Sequence, residues 1–300
     1  MRSAGFICLA LLATLFCLGC GGRAPAPLAA PSPGPPNPAT IPQVQHVVLV
    51  VEENHSYESV IGSAAMPYLN SLASSYGLAT NYFANTHPSI GNYFELTTGE
   101  ILTNDDNFSG TVSSDNIVRQ LLIAGKSWKS YSEGLPRVGY AGGDVYPYLR
   151  HHDPFSYFSD VVNSSAELVD LVPFSQFAQD LANQQLPNLA FIAPNRINDG
   201  HDGSLQQADN WLRANIAPLI TNPVFQQTLL IIVFDESDIV DLRNGGGRVP
   251  MLVISPAAKP GFQSTTFYQH PSTLRLILRA LGVSNFPGTS ASAPEMAEFF

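Results

Sequence analysis

The stretch HVVLVVEEN, residues 46–54, decides the fold class of this chain. Its apolar part is continuous rather than alternating, which is typical of a strand covered on both faces. Three further apolar runs have the same character: NLAFIAP (188–194), TLLIIVFDE (228–236) and VPMLVIS (249–255). Helix-like segments lie between the strands, at 66–76, 116–124, 175–184, 206–217 and 272–281. Strands interleaved with helices predict an α/β sandwich with a mainly parallel sheet.

The first 43 residues differ in composition from the rest of the 300-residue chain. Arg2 and the apolar run at 6–18 have the charge and length of a secretory signal peptide, and the run is too short to span a bilayer comfortably. Gly19-Cys20 resembles a lipoprotein cleavage site, which predicts a signal peptide at 1–20 and lipidation of Cys20. Plain secretion or an uncleaved anchor is the alternative.

Residues 21–43 are rich in Pro and Ala and are expected to form an extended linker that holds one globular domain, 44–300, away from a membrane. We therefore expect a protein exported from a bacterial cell and tethered to the membrane through its lipid. Without the lipid, it would be periplasmic or secreted.

Cysteine content and charge exclude several kinds of site and partner. Every cysteine lies at or before Cys20, so the predicted domain has no disulfide, thiolate ligand or thiol nucleophile. The formal net charge is −10, which argues against nucleic acid or anionic lipid as a general partner. An anionic substrate would then need local positive charge, most simply a metal ion. The sequence also contains no G-x-S-x-G, H-E-x-x-H or P-loop motif.

Acidic and amide side chains follow three of the apolar strands. They are Glu53 and Asn54 after the first strand, Asp235 and Glu236 after the third, and Asp199, His201 and Asp202 after the second. Because ligands bind outside the carboxyl ends of parallel strands, we expect these side chains to converge there. Clustered carboxylates raise one another's pKa unless a cation neutralises them, and oxygen ligands suit calcium, magnesium or manganese. Ordinary acidic loop ends are the alternative interpretation.

The stretch THPSIGNYFELTTGE, residues 86–100, opens with turn-forming residues and then becomes helix-like. Ser89 at this helix start is either a cap or a nucleophile, since the free N–H groups of a helix N-terminus favour an anion. Five histidines form a second candidate group, in which a position in a loop or just before a helix suits a pocket rim where His could bind phosphate or transfer a proton. They are His87, His151, His152, His201 and His270, and each could instead be an ordinary surface or core residue.

An ordered set of motifs carries a resemblance to a known family. The motifs are VVLVVEENHSYESVIG, MPYLNSLASSYGLATNYFANTHPSIGNYFELTTGE, GKSWKSYSEGLP, HDPFSYF, NDGHDGSLQQADNWLRANI, IIVFDESD and GGGRVPMLVISPAAKPG. Together they cover essentially all of residues 44–285. They resemble the bacterial phosphoesterase family of acid phosphatases and phosphatidylcholine-type phospholipases C, within the alkaline phosphatase superfamily. The resemblance implies an alkaline-phosphatase-like three-layer sandwich and a phosphoesterase catalytic domain at 44–300.

The resemblance also implies roles for individual residues. Ser89 matches the nucleophile that becomes transiently phosphorylated, and Asn92 resembles the amide that holds a phosphoryl oxygen. The implied metal ligands are Glu53, Asn54, Asp235 and Glu236. The implied phosphate-facing or proton-transferring histidines are His152, His201 and His270, with His151 sharing the work of His152. Asp199 and Asp202 compete for one further role.

Two features depart from the family pattern. Ile90-Gly91 stands where Leu-Pro is usual after the nucleophile, and Gly91 is expected to loosen that turn. The Glu-Asn and Asp-Glu ligand pairs favour one oxygen-ligated divalent metal over the two zinc ions held by many superfamily members.

We therefore expect metal-dependent hydrolysis of small phosphate esters through a phosphoserine, by a phosphomonoesterase of the acid phosphatase type. A phospholipase C or phosphodiesterase acting at the same site is the alternative. It is less favoured because the family's phospholipases often carry extra C-terminal domains, and this sequence shows no lipid-binding module. A non-catalytic surface lipoprotein is the second alternative. Membrane contact is expected only through the N-terminal lipid, and nucleic acid is not an expected partner.

Overall fold

The structure is a computed structural model that describes residues 40–300. The predicted signal peptide, 1–20, and most of the predicted linker, 21–43, lie outside the described residues. Ile41 and Val44 pack against the hydrophobic core. The last few residues of the predicted linker therefore already belong to the packed domain.

Ten strands form the sheets within residues 40–300. They are β1 (His46–Glu52), β2 (Gly77–Ala79), β3 (Tyr82–Phe83), β4 (Trp128–Ser132), β5 (Leu171–Pro173), β6 (Leu189–Ala193), β7 (Thr228–Phe234), β8 (Met251–Ile254), β9 (Gln263–Ser264) and β10 (Tyr268–Gln269). Eight strands make one sheet in the order β5-β4-β6-β1-β7-β8-β2-β9, and β3 pairs with β10. Only β8 runs against its neighbours in the large sheet. The prediction of a mainly parallel sheet is confirmed.

The four strands predicted from apolar runs are β6, β1, β7 and β8, which lie side by side in the middle of the sheet. Every residue of β7 is buried, and only His46 of β1 is partly exposed. Both faces of these strands are therefore covered, which explains why their sequences are continuously apolar.

Ten α-helices connect or cover the strands in the described part of the chain. They are α1 (Tyr57–Val60), α2 (Pro67–Ser75), α3 (Ser89–Thr98), α4 (Ile117–Ile123), α5 (Ser159–Val162), α6 (Ser165–Leu168), α7 (Ser175–Ala182), α8 (Leu205–Asn215), α9 (Ala217–Thr221) and α10 (His270–Ala280). The five predicted helices correspond to α2, α4, α7, α8 and α10, with ends that agree to within two residues. No helix of residues 40–300 has the length and apolar character that a membrane crossing requires.

Local sequence sets several helix boundaries. The side chain of Asn116 accepts a hydrogen bond from Arg119 N–H at the start of α4, and Ser204 does the same for Gln207 N–H at the start of α8. Helix α3 ends at Gly99, whose left-handed φ of 71° is easily adopted by glycine. All ten residues of α3 are buried, so this helix is an internal element rather than a surface one.

The parallel pairing of β1 with both β6 and β7 brings three carboxyl ends to one edge of the sheet. In this register Glu52 lies opposite Phe234, so that Glu53 and Asp235 leave the sheet at the same level. Asn54 follows with a positive φ of 55°, an uncommon conformation in which asparagine is favoured among non-glycine residues. The chain therefore turns sharply at the point where the predicted ligands begin.

Candidate active site

Ser89 is the first residue of α3, and its side chain lies against the carboxyl edge of the sheet. Its Oγ donates a hydrogen bond to Glu53 Oε2 at 3.1 Å, and its proximity to Asp235 opposes the rise in the pKa of that carboxyl that burial causes. Pro88 occupies the N-cap position, and no side chain caps the helix there. The hydroxyl of Ser89 is therefore directed at carboxylates of two strands and does not cap its own helix.

Glu53 and Asp235 are fully buried beside Ser89. Glu53 Oε1 accepts a hydrogen bond from Tyr93 Oη at 2.6 Å. Asp235 Oδ1 accepts one from Asn54 N–H at 3.2 Å, whereas Asp235 Oδ2 has no hydrogen-bond partner. Burial, followed by the charges of neighbouring acids, raises the pKa of both carboxyl groups well above the ordinary range. The structure thus brings together the carboxylates that the sequence placed at two strand ends.

Glu236 contacts a histidine on the far side of this pair. His87 Nδ1 lies 2.8 Å from Glu236 Oε2, and this contact raises the pKa of His87. Burial raises the pKa of Glu236 overall, although His87 opposes that shift. This buried contact favours the protonated form of His87, which stands two residues before Ser89.

Asn92 lies one turn into α3 and supports the preceding loop. Its Oδ1 accepts hydrogen bonds from Asn85 N–H and Thr86 N–H at 2.9 and 3.1 Å, and its Nδ2 donates to Thr86 O at 2.8 Å. The second N–H of Nδ2 points toward Glu236 Oε2, 3.5 Å away. Asn92 therefore fixes the approach to Ser89, and its predicted contact with a phosphoryl oxygen stays a prediction.

His152 is buried among the same groups. Its Nδ1 lies 3.5 Å from Asp199 Oδ2 and its Nε2 lies 3.3 Å from Glu53 Oε1, while its ring stacks on Tyr93 with centroids 5.1 Å apart. The contact to Glu53 is not aligned as a hydrogen bond, so Nε2 has no hydrogen-bond partner. Burial lowers the pKa of His152 to about 3, which makes the ring neutral at physiological pH.

His151 packs edge-on against His152, with ring centroids 4.5 Å apart. Its Nδ1 is also buried without a hydrogen-bond partner. Burial, followed by the neighbouring ring of His152, lowers the pKa of His151 to about 4. The two adjacent imidazoles thus each keep a nitrogen that no protein group engages.

Asp199 and Asp202 occupy different environments, although the sequence gives them similar settings. Asp199 is buried against His152, its Oδ1 accepts His201 N–H at 2.8 Å, and burial raises its pKa to about 7. Asp202 is turned outward and pairs with Arg196 at 3.0 Å. Of the two competing aspartates, Asp199 is the one that faces the site.

His201 lies at the mouth of the site with its ring turned toward solvent-exposed partners. Its Nδ1 lies 2.9 Å from Asp202 Oδ1 and 3.2 Å from Arg196 Nε. Its proximity adds to the effect of burial in lowering the pKa of His152. The structure therefore places His201 near the site but outside the group of residues that contact Ser89 or Glu53.

His270 lies behind the site, and both of its ring nitrogens are engaged. Its Nε2 lies 2.6 Å from the main-chain oxygen of Asp235, and its Nδ1 lies 3.0 Å from Tyr82 Oη. The ring is completely buried, and burial lowers its pKa to about 4. In this arrangement His270 supports the main chain at Asp235 and presents no free nitrogen to a substrate.

Tyr93 was not identified from the sequence, and His87 was only one of five candidate histidines with no specific role. Tyr93 stands four residues after Ser89, a spacing that places both side chains on one face of α3. That spacing could have identified Tyr93 once Ser89 was suspected. His87 gave a weaker signal, since nothing in its sequence neighbourhood links it to Glu236, 149 residues away.

The donor groups around Ser89 suit an oxygen-ligated cation in their chemistry. Glu53, Asp235 and Glu236 are buried carboxylates with raised pKa values, and the unpartnered Oδ2 of Asp235 is the kind of atom that a cation would satisfy. Within residues 40–300, no three acidic, histidine or cysteine side chains are grouped closely enough to enclose an ion. A cation would therefore have to compete with Ser89, Tyr93 and His87 for these carboxylates.

Comparison with known proteins gives this arrangement a context. The sequence profile of the Phosphoesterase family matches residues 63–284. The probable acid phosphatase of Kluyveromyces lactis is 34% identical, over 75% of this chain and 55% of its own length. The phosphatidylinositol-3-phosphatase of Mycobacterium tuberculosis is 31% identical, over 87% of this chain and 85% of its own length. This chain thus spans about half of the first relative and most of the second.

Two weaker likenesses point the same way. Phospholipase C B of Mycobacterium tuberculosis is 27% identical, over 53% of this chain and 37% of its own length. The solved structure of an alkaline phosphatase superfamily protein from Vibrio parahaemolyticus superposes with a TM-score of 0.58 and 12% identity, covering 83% of this chain and 69% of that chain. At this identity the likeness concerns the fold alone, and it confirms the predicted alkaline-phosphatase-like fold.

Proposed function

This chain belongs to the phosphoesterase family, and from that membership we propose that it hydrolyses small phosphate esters with Ser89 as nucleophile. One observation carries the proposal. The Ser89 hydroxyl stands at the N-terminus of a ten-residue buried helix and donates at 3.1 Å to a buried carboxylate of the neighbouring strand. Free N–H groups at a helix start favour the negative charge of a phosphoryl group.

The reaction needs two displacements at phosphorus. Ser89 Oγ forms a bond to phosphorus as the bond to the ester oxygen breaks, and the Ser89 proton passes to the departing alcohol. Water then attacks the phosphoserine, one of its protons returns to Ser89 Oγ, and inorganic phosphate leaves. Glu53 Oε2 orients Ser89 by accepting its hydrogen bond. We assign proton transfer to His151 and His152, because each keeps a buried ring nitrogen that no other protein group engages. His201 and His270 make their ring contacts elsewhere.

We further propose that the site binds one divalent cation. Glu53, Asn54, Asp235 and Glu236 are the residues that would hold it, and the oxygen-only donor set favours calcium, magnesium or manganese over two zinc ions. When bound, such an ion lowers the pKa of the nucleophile and neutralises charge on phosphoryl oxygens. The raised pKa values of Glu53 and Asp235 support this proposal, since a cation would compensate the repulsion between them.

Among phosphate esters we favour monoesters. The two relatives above that exceed 30% identity are a probable acid phosphatase and a phosphatidylinositol-3-phosphatase, and both are named as phosphatases, a class that acts on monoesters. The likeness to phospholipase C B supports a phosphodiesterase or phospholipase C as the second candidate. The contacts of Ser89 count against a non-catalytic surface protein, because such a protein has no need for a serine held between buried carboxylates.

Substitution of the nucleophile tests the proposal directly. We expect Ser89→Ala to lower turnover of an aryl phosphate by at least about 10³-fold, the order seen when a nucleophile is removed. The melting temperature should stay close to that of the parent chain. In parallel, acid-quenched reactions with ³²P-labelled substrate should leave label on the parent protein and none on Ser89→Ala. Parent-like turnover in the variant would exclude Ser89 as the nucleophile.

A substrate panel decides between the candidate reactions. It consists of an aryl phosphate, an aryl phosphate diester, an aryl phosphorylcholine and phosphatidylcholine, each assayed from pH 4 to 9. A monoesterase acts best on the first, whereas a phospholipase C acts on the last two. We also propose export and lipid tethering through Cys20, which lies outside the described residues, and expect Cys20→Ala to move the protein from the membrane fraction to the soluble fraction.

A further inference from the structure

The segment 103–106 packs against the first turn of α3. A Cβ atom added to Gly91 would meet the side chains of Asn104 and Thr86, and it would lie 3.3 Å from the main-chain oxygen of Thr103. Glycine at position 91 therefore permits this close approach. The expectation that Gly91 loosens the nucleophile turn is not what the structure shows, because a neighbouring segment fills the space that the missing side chain leaves.

Asp106 completes this contact with a charged group. Its Oδ1 accepts a hydrogen bond from Ile90 N–H at 3.2 Å, and Ile90 is the residue directly after Ser89. Asp106 is also in electrostatic range of His151 and Glu236, because it opposes the fall in the pKa of His151 and adds to the rise that burial causes in the pKa of Glu236. A carboxylate of the chain thus lies on one of the N–H groups that would face a phosphoryl group bound at Ser89.

A second observation indicates that this position belongs to a ligand. Asp235 Oδ2 and His152 Nε2 are buried beside Ser89 without hydrogen-bond partners, and buried polar atoms are normally paired. A phosphoryl group together with its cation would supply these partners. Asp106 thus accepts the hydrogen bond from Ile90 N–H that the bound phosphoryl group would otherwise accept.

We propose that Asp106 is a specificity-determining residue that acts as an internal anion at the helix start and competes with the phosphoryl group of the substrate. This inference rests on the function proposed above. Because Asp106 repels the ligand as well as blocking a donor, it disfavours dianionic phosphates more than monoanionic ones. The residue therefore weakens binding of inorganic phosphate and of monoesters more than binding of diesters.

The test compares three variants of the full chain. Asp106→Asn removes the charge, Asp106→Glu keeps it, and Asp105→Asn removes the adjacent charge, whose carboxylate contacts only Asn107. We expect Asp106→Asn to lower KM for an aryl phosphate and Kd for inorganic phosphate by about tenfold, because the amide oxygen can still accept from Ile90 N–H but no longer repels the anion. KM for an aryl phosphate diester should fall less, and kcat should change little.

Asp106→Glu should stay closer to the parent than Asp106→Asn does, and Asp105→Asn should match the parent. The proposal is overturned if Asp106→Asn leaves KM and Kd unchanged or raises them, or if Asp105→Asn has the same effect. Calorimetric titration with inorganic phosphate separates this inference from the proposed reaction, because it needs no turnover. If the parent chain hydrolysed no ester but the Asp106→Asn variant bound inorganic phosphate more tightly than the parent, the role of Asp106 would stand and the proposed reaction would be wrong.

Discussion

At the scale of single residues, two buried tyrosine hydroxyls form a natural matched pair. Tyr93 Oη donates to Glu53 Oε1 at 2.6 Å, whereas Tyr148 Oη is buried with no hydrogen-bond partner. We expect Tyr93→Phe to lower kcat about tenfold or more, because it leaves Glu53 Oε1 buried without its hydrogen bond, at a cost of about 1–3 kcal/mol. Steady-state kinetics with an aryl phosphate measures this loss.

Tyr148→Phe is the control for that prediction. It removes a hydroxyl of the same size from a buried ring, but no contact is lost, so kcat should stay unchanged and the melting temperature should stay level or rise. Equal losses of activity in Tyr93→Phe and Tyr148→Phe would show that the Tyr93–Glu53 contact does not hold the nucleophile's carboxylate in place.

The residue scale also shows where sequence reasoning reached its limit. Ser89, Glu53 and Asp235 could be placed in one site because each stands at the end of a regular element. The orientation of a histidine ring could not be placed in this way. His270 begins α10, two residues before the predicted start of that helix, and its ring points into the core, where Tyr82 and the main chain of Asp235 engage both nitrogens. Only the packed structure determines that choice.

At the scale of secondary-structure elements, strands differ in how visible they are in the sequence. Strands β1, β6, β7 and β8 were predictable because burial on both faces demands continuous apolar residues. Strand β4, with the sequence WKSYS, was missed because its buried serines form hydrogen bonds, such as Ser130 Oγ to Asp153 Oδ1 at 2.8 Å. The edge strands β5 and β9 and the strand β2 next to β9 have only two or three residues, too few for any periodic signal.

Helix α3 carries a buried acid that makes stability depend on pH. Burial, followed by the charge of Glu100, raises the pKa of Glu95 from 4.5 to about 7. Between these values the folded chain holds a proton that the unfolded chain releases, so Glu95 makes the free energy of unfolding fall as pH rises from 4.5 to 7. We expect Glu95→Gln to raise the free energy of unfolding at pH 8 by on the order of 2 kcal/mol.

Urea unfolding followed by tryptophan fluorescence at pH 5 and pH 8 measures this effect. At pH 5 the parent chain already carries a protonated Glu95, so the variant should differ little from it. Asp105→Asn removes an exposed charge and should leave the free energy of unfolding unchanged at both pH values. If Glu95→Gln gave no gain at pH 8, Glu95 would have to be ionised in the folded chain at little cost.

At the scale of the whole molecule, several acidic side chains are buried together, where the ionised form is least favourable. The net charge is −10, and Glu52, Glu53, Asp199 and Asp235 are buried completely at one edge of the sheet. Glu52 makes no hydrogen bond with either carboxylate oxygen, and burial raises its pKa well above the ordinary range. The protein alone does little to compensate the charge of these buried carboxylates. We therefore expect a cation to affect folding as well as catalysis.

Divalent metal should therefore stabilise the folded chain measurably. A cation that binds only the folded state adds about 2.7 kcal/mol to the free energy of unfolding at a hundredfold excess over Kd. We expect calcium, magnesium or manganese to raise the melting temperature of metal-depleted protein. A chelator should reverse that shift and abolish the activity. Asp235→Asn removes one proposed ligand, so its melting temperature should respond less to the same ion.

Asp238→Asn is the control, because Asp238 is an exposed acid near the same strand end and is not a proposed ligand. Its response to metal should match that of the parent chain. Full activity in protein shown by elemental analysis to be metal-free would remove the cation from the mechanism. An equal metal response in Asp235→Asn and Asp238→Asn would place the bound ion elsewhere on the acidic surface. Selective loss in Asp235→Asn would instead identify the buried carboxylates beside Ser89 as the groups that the cation neutralises.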